Sequence, residues 1–363
     1  KRENMKKFSN FIKNKRKQND FSMFNGYSLD KQEEILNKLE VIKHYDGNNN
    51  PQRIALLETH IPIQYKAVAL RKMNMLDNME PGSNEHYKLK QWVDSFMRIP
   101  FNCYSTLPIS LGDGVDKTHE FMGNAMNTLN GAVYGLNDAK IQIMQMIGQW
   151  ITNPSALGTA ISIQGPMGTG KTTLVKDGIS KILGRDFAFI ALGGATDSSV
   201  LEGHSYTYEG STWGKIVDIL IQGKTMNPVI YFDELDKISN TPKGEEIAHI
   251  LTHLTDTTQN NQFHDKYFSE IELDLSRCLF IFSYNEEEKV NPILQDRMYK
   301  ITTAGYSAKE KITIVNDYLL PKILSEINFT KDDVVFDDNV LQYIIQQYTN
   351  EEKGVRNLKR CLE

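Results

Sequence analysis

Cysteine is scarce in this chain, with only Cys103, Cys278 and Cys361 among 363 residues. They lie far apart, and no CxxC pair or His/Cys cluster accompanies them. That excludes a disulfide framework and a structural zinc site of the usual spacing. Long apolar runs are missing as well. No stretch approaches the ~20 residues that span a bilayer as a helix, and no secretory signal is visible. A reducing, intracellular setting without membrane contact is therefore expected. Nor is there a basic excess: 41 Lys and Arg stand against 46 Asp and Glu, a net charge of −5. An overall electrostatic preference for nucleic acid is thus disfavoured. Basic residues crowd only the first twenty positions (Lys1, Arg2, Lys6, Lys7, Lys13, Lys15, Arg16, Lys17). We read them as a solvated helical face, with nucleic-acid or membrane contact as the alternative. The chain starts at Lys1 and ends at Cys361-Leu362-Glu363, and is expected to be a piece of something longer.

What is present suffices for globular domains, since 40% of the residues are apolar. Residues 30–45 space their apolar side chains at three and four, which predicts an amphipathic helix stopping at the Asp46-Gly47 turn. A second helical stretch is expected from about Pro51 to Asn78, and a third over 86–99 that ends before Pro100. After Tyr134 the texture changes. A helix up to Asn153-Pro154 is followed by β-type runs (AISIQG, FAFIAL, PVIYFD, RCLFIFSYN) that alternate with helical patterns. Strands separated by helices imply βαβ units and a parallel sheet with helices on both faces. From about Ser307 the pattern is helical again. The expected organisation is a charged helical stalk over 1–50, a helical domain over 51–130, an α/β core over 131–305 and a helical lid over 306–363. No internal repeat is evident.

Two motifs carry the chemistry. Gly165-Pro166-Met167-Gly168-Thr169-Gly170-Lys171-Thr172 satisfies GxxxxGK[ST] between an expected strand and an expected helix, with Thr173 following in that helix. Its glycines let backbone N–H groups turn inward around phosphates, and the helix N-terminus adds partial positive charge. Lys171 is suited to the β- and γ-phosphates of ATP, and the Thr172 hydroxyl to Mg²⁺. One strand–helix repeat later, Val229-Ile230-Tyr231-Phe232 ends in Asp233 and Glu234. Asp233 is placed to hold Mg²⁺ through water, and Glu234 to polarise the attacking water as general base. Asn285, closing the run Leu279–Phe282, can reach the γ-phosphate. Arg297 follows the next short helix and is a candidate arginine offered to a neighbouring subunit. Arg356 opens the last helix and is suited to reporting γ-phosphate loss as lid movement. The pair His249 and His253 falls at i, i+4, but Ile250 stands where a metalloprotease needs Glu. They are read as ordinary helix residues.

From about Pro51 to its end the chain resembles the ATPase portion of the Lon protease family, AAA+ ATPases. Trp92–Phe101 is similar to the family's helical segment ending in a Trp- or Phe-bearing turn. Val133-Tyr134-Gly135-Leu136 is similar to its adenine-pocket HYGL, with Val in place of His. Ala191-Leu192-Gly193-Gly194, Gly203-His204 and Asp233-Glu234-Leu235-Asp236-Lys237 match further motifs. So do Gln259–Phe263, Asp296-Arg297-Met298, Gly305-Tyr306 and Gly354-Val355-Arg356-Asn357-Leu358.

The resemblance implies that Asn285 is sensor 1, Arg297 the arginine finger and Arg356 sensor 2. It also implies ATP/ADP and Mg²⁺ as cofactors, a hexameric ring, and polypeptide substrates pulled through its centre. Tyr208, in Tyr206-Thr207-Tyr208-Glu209-Gly210, would be the gripping aromatic. Glu209 stands where an aliphatic residue is expected, Trp213 replaces a proline, and Ser239–Gly244 lacks the second loop's aromatic. The family's Ser–Lys peptidase lies beyond the lid, so Ser155 in Pro154–Gly158 is read as linker rather than nucleophile. Three readings remain open: the motor of an ATP-dependent serine protease, a stand-alone remodelling ATPase, and a nucleic-acid motor supported only by the basic N-terminus.

Overall fold

A computed structural model describes residues 1–11, 18–45, 52–153, 160–195, 197–330, 333–349 and 351–363. Lys13, Lys15, Arg16, Lys17, the turn at Asp46-Gly47 and Ser155 lie outside the described residues. The chain divides into two compact units, Lys1–Thr59 and His60–Glu363.

The first unit carries helices Arg2–Phe11, Gln18–Gly26, Leu29–Tyr45 and Gln52–Glu58. Phe8, Phe24 and Leu36 bury their side chains in a small core, and the Phe8 and Phe24 rings stack at 4.0 Å. Buried Gln32 donates to the Phe24 carbonyl at 2.8 Å, so its amide is satisfied inside that core. Lys6 and Lys7 point to solvent from the same helix that buries Phe8, as an amphipathic helix requires. The continuous helix expected over 51–78 is in fact two, Gln52–Glu58 and Ile63–Asp77. Pro62 is the N-cap of the second. Proline has no N–H to continue the ladder and disfavours helical backbone at the residue before it.

Among the described residues the second unit is built on seven short strands: β1 (Ala160–Gln164), β2 (Phe187–Ala191), β3 (Val229–Asp233), β4 (Phe263–His264), β5 (Glu272–Leu273), β6 (Leu279–Tyr284) and β7 (Tyr299–Thr302). Five form one parallel sheet in the order β2-β3-β6-β1-β7. β4 and β5 pair separately as an antiparallel ribbon. The first four residues of β1 and β3 and all of β6 are buried, as parallel strands covered on both faces must be. One face packs Ile161, Ile163, Tyr231, Ile281 and Ile301 against helices Val115–Ala132 and Asn137–Thr152 and the helix after β1. The opposite face buries Ile230, Phe232, Phe280 and Phe282, with Phe232 and Phe282 stacked at 4.8 Å. β7, with three exposed residues of four, had no sequence signal of the apolar kind that marked the others.

After Thr302 the chain is helical. Ala308–Ile314 opens with a capping box between Ser307 and Glu310. A π-helical turn at Val315–Leu319 then precedes Pro321, where a regular ladder would be interrupted. With Asp338–Tyr348 and Arg356–Leu362 these helices close over Val315, Leu341, Ile345 and Leu358.

A loop over 203–214 carries Tyr208, which is 69% exposed. Its base is tied by Asp265, a fully buried carboxylate. Asp265 accepts from the backbone N–H of Gly214 at 2.8 Å, Tyr267 at 2.9 Å and Phe268 at 3.4 Å. Burial, opposed by those three hydrogen bonds, pushes its pKa up to about 6. Because the folded state holds this proton more tightly, the group's contribution to stability is greatest in acid and declines as pH rises to about 6. Asp265→Ala leaves three N–H groups without their acceptor. It is expected to lower the unfolding free energy by about 3 kcal/mol at pH 7 and to abolish that pH slope, as measured by urea unfolding across pH 4–7.

Candidate nucleotide site

A cleft of about 720 Å³ opens at the C-terminal edge of the sheet, between the sheet and the C-terminal helices. Its place follows from strand order. The chain leaves β1 for the far edge, returns through β3 and β6, then crosses to β7 on the other side of β1. Such a reversal leaves a crevice at the carboxyl end of the strand from which it departs. Because β6 lies between β1 and β3, Asn285 at its end sits between the Gly165–Thr172 loop and Asp233-Glu234.

The loop is shaped by its glycines. Gly165, Gly168 and Gly170 all have positive φ. At Gly165 a Cβ would run into Thr303, and at Gly170 it would come within 2.9 Å of Val133. The helix starting at Lys171 passes through a π-helical turn, Leu174–Ile179. There Gly178 lets buried Leu129 pack close, since a Cβ would lie 2.9 Å from it. Met167 to Thr173, Asp233, Glu234, Asn285 and Arg356 all line the cleft.

Lys171 is buried and saturated. Its ammonium donates to the Gly165 carbonyl at 2.5 Å, the Pro166 carbonyl at 3.3 Å and Asn285 Oδ1 at 2.7 Å. Burial pulls its pKa down to about 8, opposed by Asp233 and Asp236. Asp233 accepts from Ser283 Oγ on the adjacent strand and from the Tyr231 hydroxyl at 3.5 Å. Glu234 stands at φ +60°, a left-handed conformation that strains a residue with a side chain. Its carboxylate lies against Gly193, where a Cβ would run into Glu234 Oε2.

The C-terminal helices reach the loop directly. Val355 N–H donates to the Gly168 carbonyl at 3.1 Å, and Gly354 lies so close to Met167 and Gly168 that a Cβ would collide with their backbone. Glu352 accepts from the N–H of Arg356 at 3.0 Å and of Asn357 at 2.8 Å, holding the first turn of the last helix. Lys311 in turn donates to the Glu352 carbonyl.

On the other side of the cleft Tyr134 lines the wall. Gly135 and Leu136 do not line it. With φ of 60° and 54° they turn the chain into helix Asn137–Thr152. Tyr318 meets the Tyr134 ring edge-on at 6.3 Å and donates to the Asn130 carbonyl. The Tyr306 hydroxyl lies 2.8 Å from the Thr169 carbonyl and 3.2 Å from that of Tyr134. Burial pushes the Tyr306 pKa up to about 12, so it stays a donor. Tyr318, with Lys322 beside it, was not singled out in the sequence. Both lie among ordinary helical residues, and only the fold brings them to the cleft.

Arg297 is not in this cleft. Its guanidinium is tied to Asp256 at 2.6 Å and to the Thr252 carbonyl at 3.2 Å. Hydrogen bonds from Thr258, with Arg297 beside it, lower the Asp256 pKa to about 2. Glu209 is exposed near Tyr208 on the 203–214 loop. His249 and His253 form an edge-to-face pair at 5.4 Å, and among the described residues no group of three or more metal-ligating side chains occurs.

A phosphate-binding loop between strand and helix, a strand ending in Asp-Glu, an interposed strand ending in Asn and a helical lid with an inward arginine define a P-loop ATPase of the AAA+ class. Comparison with known proteins agrees. Residues 161–306 match the ATPase family associated with various cellular activities, and residues 325–363 match the Lon protease AAA+ ATPase lid domain. The chain is 37% identical over 326 residues to a Lon protease homolog of Acanthamoeba polyphaga mimivirus, covering 85% of this chain and 31% of the relative. It is 35% identical to Lon protease of Malacoplasma penetrans, covering 83% and 36% respectively. Lon protease of Clostridium acetobutylicum is also 35% identical, with coverage of 81% and 36%. The chain belongs to the Lon family as its AAA+ module, an ATP hydrolase, and spans about a third of the length of these relatives. No described helix is long and apolar enough to cross a membrane.

The depressed pKa of Lys171 is expected to make nucleotide binding pH-dependent. A polyphosphate beside Nζ favours the ammonium, so binding takes up a proton once the free lysine begins to lose its own near pH 8. Affinity for ADP is expected to fall as pH rises from 7.5 to 9.5, approaching tenfold per pH unit. Calorimetry in two buffers of different ionisation enthalpy should show proton uptake at pH 8.5 and little at pH 7. A flat profile would contradict this account of Lys171.

Proposed function

We propose that this chain is the motor of an ATP-dependent serine protease, using ATP hydrolysis to unfold polypeptide and draw it through a ring of identical subunits, with a hexamer as the expected ring. The observation that carries the reading is the convergence of Lys171, Asn285, Asp233 and Glu234 under a lid that holds Arg356 against the phosphate loop. Movement of the lid is thereby linked to what the loop holds. A Lon-type lid and relatives named Lon protease favour proteolysis over a stand-alone remodeller or a nucleic-acid motor.

In this reading the backbone N–H groups of Gly168 to Thr172 and the Lys171 ammonium hold the β- and γ-phosphates of ATP. Tyr134, Tyr318 and their neighbours receive the base. Thr172 and Asp233 would hold Mg²⁺. Their hydroxyl and carboxylate oxygens lie 3.3 and 3.5 Å from one tyrosine hydroxyl. Two hard oxygen donors without a further protein cage suit a cation that keeps its waters and phosphate ligands. The ion would neutralise charge on the phosphate oxygens.

Glu234 polarises a water for in-line attack on the γ-phosphorus, and Asn285 orients it. Gly193 is what leaves room for the Glu234 carboxylate. Arg356 senses departure of the γ-phosphate. Arg297, outside its own cleft and a third exposed, is free to exchange Asp256 for the phosphates of a neighbouring subunit. Tyr208 and Glu209 face substrate from the exposed loop.

Glu234→Gln is expected to bind ATP with near-normal affinity and to hydrolyse it at least about 10²-fold more slowly, measured by phosphate release. Turnover near that of the unsubstituted chain would remove Glu234 as general base. Arg297→Ala should lose hydrolysis that is restored when mixed with Glu234→Gln subunits, whose own Arg297 is intact. No rescue at any mixing ratio would rule out an arginine supplied in trans.

A further inference from the structure

Tyr231 occupies the middle of β3, two residues before Asp233, so both side chains leave the strand on the same face. The ring is fully buried and wedged beside Phe187 and Phe189, with centroids at 6.0 and 5.9 Å. A phenylalanine would fill that space equally well. The hydroxyl is the surplus, and it meets two residues that line the nucleotide cleft. It lies 3.3 Å from Thr172 Oγ1 and 3.5 Å from Asp233 Oδ1.

The protons on these three groups can be counted. Asp233 Oδ1 is an acceptor here, and it also receives the Ser283 hydroxyl. The phenol has one proton to donate. The threonine has one proton as well. A chain that satisfies all of them runs from Thr172 O–H to the Tyr231 oxygen, and from Tyr231 O–H to Asp233. In that arrangement the Thr172 hydrogen is turned into the protein, which leaves its lone pairs for a cation. Asp233 is likewise pinned by one oxygen, which leaves Oδ2 for a cation or its waters. A hydroxyl that ligates a metal must send its proton elsewhere, and partners of this kind tune the ligands they touch.

We propose that Tyr231 is a positioning residue for the cation site, its hydroxyl holding Thr172 and Asp233 in the orientation that a Mg²⁺ ion bound with nucleotide requires. The proposal rests on the reading that Thr172 and Asp233 hold that ion. Tyr231 acts through Thr172 and Asp233, with the Ser283 hydroxyl beside them.

The test uses Tyr231→Phe in the full chain, with a fluorescent ADP analogue as probe and Mg²⁺ as the titrant. Binding is measured over a Mg²⁺ series and in excess EDTA, with Thr172→Ala as reference and the thermal midpoint recorded for each protein. Tyr231→Phe is expected to raise the Mg²⁺ concentration at half-effect by about 10- to 100-fold. Affinity in EDTA should stay within twofold of the unsubstituted chain, and the thermal midpoint should not fall. If Thr172→Ala shifts the Mg²⁺ dependence and Tyr231→Phe does not, the role of Tyr231 is overturned while the cation reading stands. If neither variant shifts it, the cation reading fails as well. Equal loss of affinity with Mg²⁺ and in EDTA would make Tyr231 a packing residue only, and would also overturn the proposal.

Discussion

A buried lysine ammonium organises the nucleotide cleft. Lys171 cannot be left without partners in that position, because an unpaired buried charge is far costlier than any single contact in the fold. It is satisfied by the carbonyls of Gly165 and Pro166 and by Asn285. Each partner depends on a separate feature. The two carbonyls turn inward because Gly165 takes a positive φ against Thr303, a conformation closed to a side chain. Asn285 is within reach because β6 is inserted between β1 and β3. The acid pair at the end of β3 is consequently one strand removed from the loop, with both lining the same cleft.

The lid shares the same constraint. Gly354 and Val355 lie on the backbone of Met167 and Gly168, so Arg356 is carried by residues that touch the phosphate loop itself. Tyr306 ties Thr169 to Tyr134 from the beginning of the same helical segment. Both walls of the cleft are thus attached to the loop by backbone-directed contacts. The lid meets the loop directly, without any long relay of side chains.

Much of this was legible in the sequence, for local reasons. Four of the five sheet strands announced themselves as apolar runs, three of them (β1, β3 and β6) because both of their faces are buried. The phosphate loop and the Asp-Glu pair were legible because backbone geometry and charge dictate residue type at fixed spacing. Other features left no local trace. β7 was silent because three of its four residues face outward, and the helix break at His60–Pro62 was masked by apolar periodicity on both sides. Gly135 and Leu136, grouped with Tyr134 by motif, prove to be a turn behind it. Arg297 could be marked from its place after a short helix, but its partner Asp256 lies 41 residues away in sequence.

The sequence by itself determined the chemistry on offer: a phosphate cradle, a carboxylate pair, an asparagine and an arginine in an order that only a P-loop ATPase needs. Those requirements are local, since each motif must shape its own backbone before anything packs on it. Only the tertiary structure decided which side chains meet across that chemistry. Tyr306 and Tyr318 come from the segment after β7, Gly193 faces Glu234 from a neighbouring strand end, and Tyr231 reaches between Thr172 and Asp233 from within the core. Strand order and helix packing bring these groups together over long sequence separations, and no spacing along the chain encodes a distance set by a sheet.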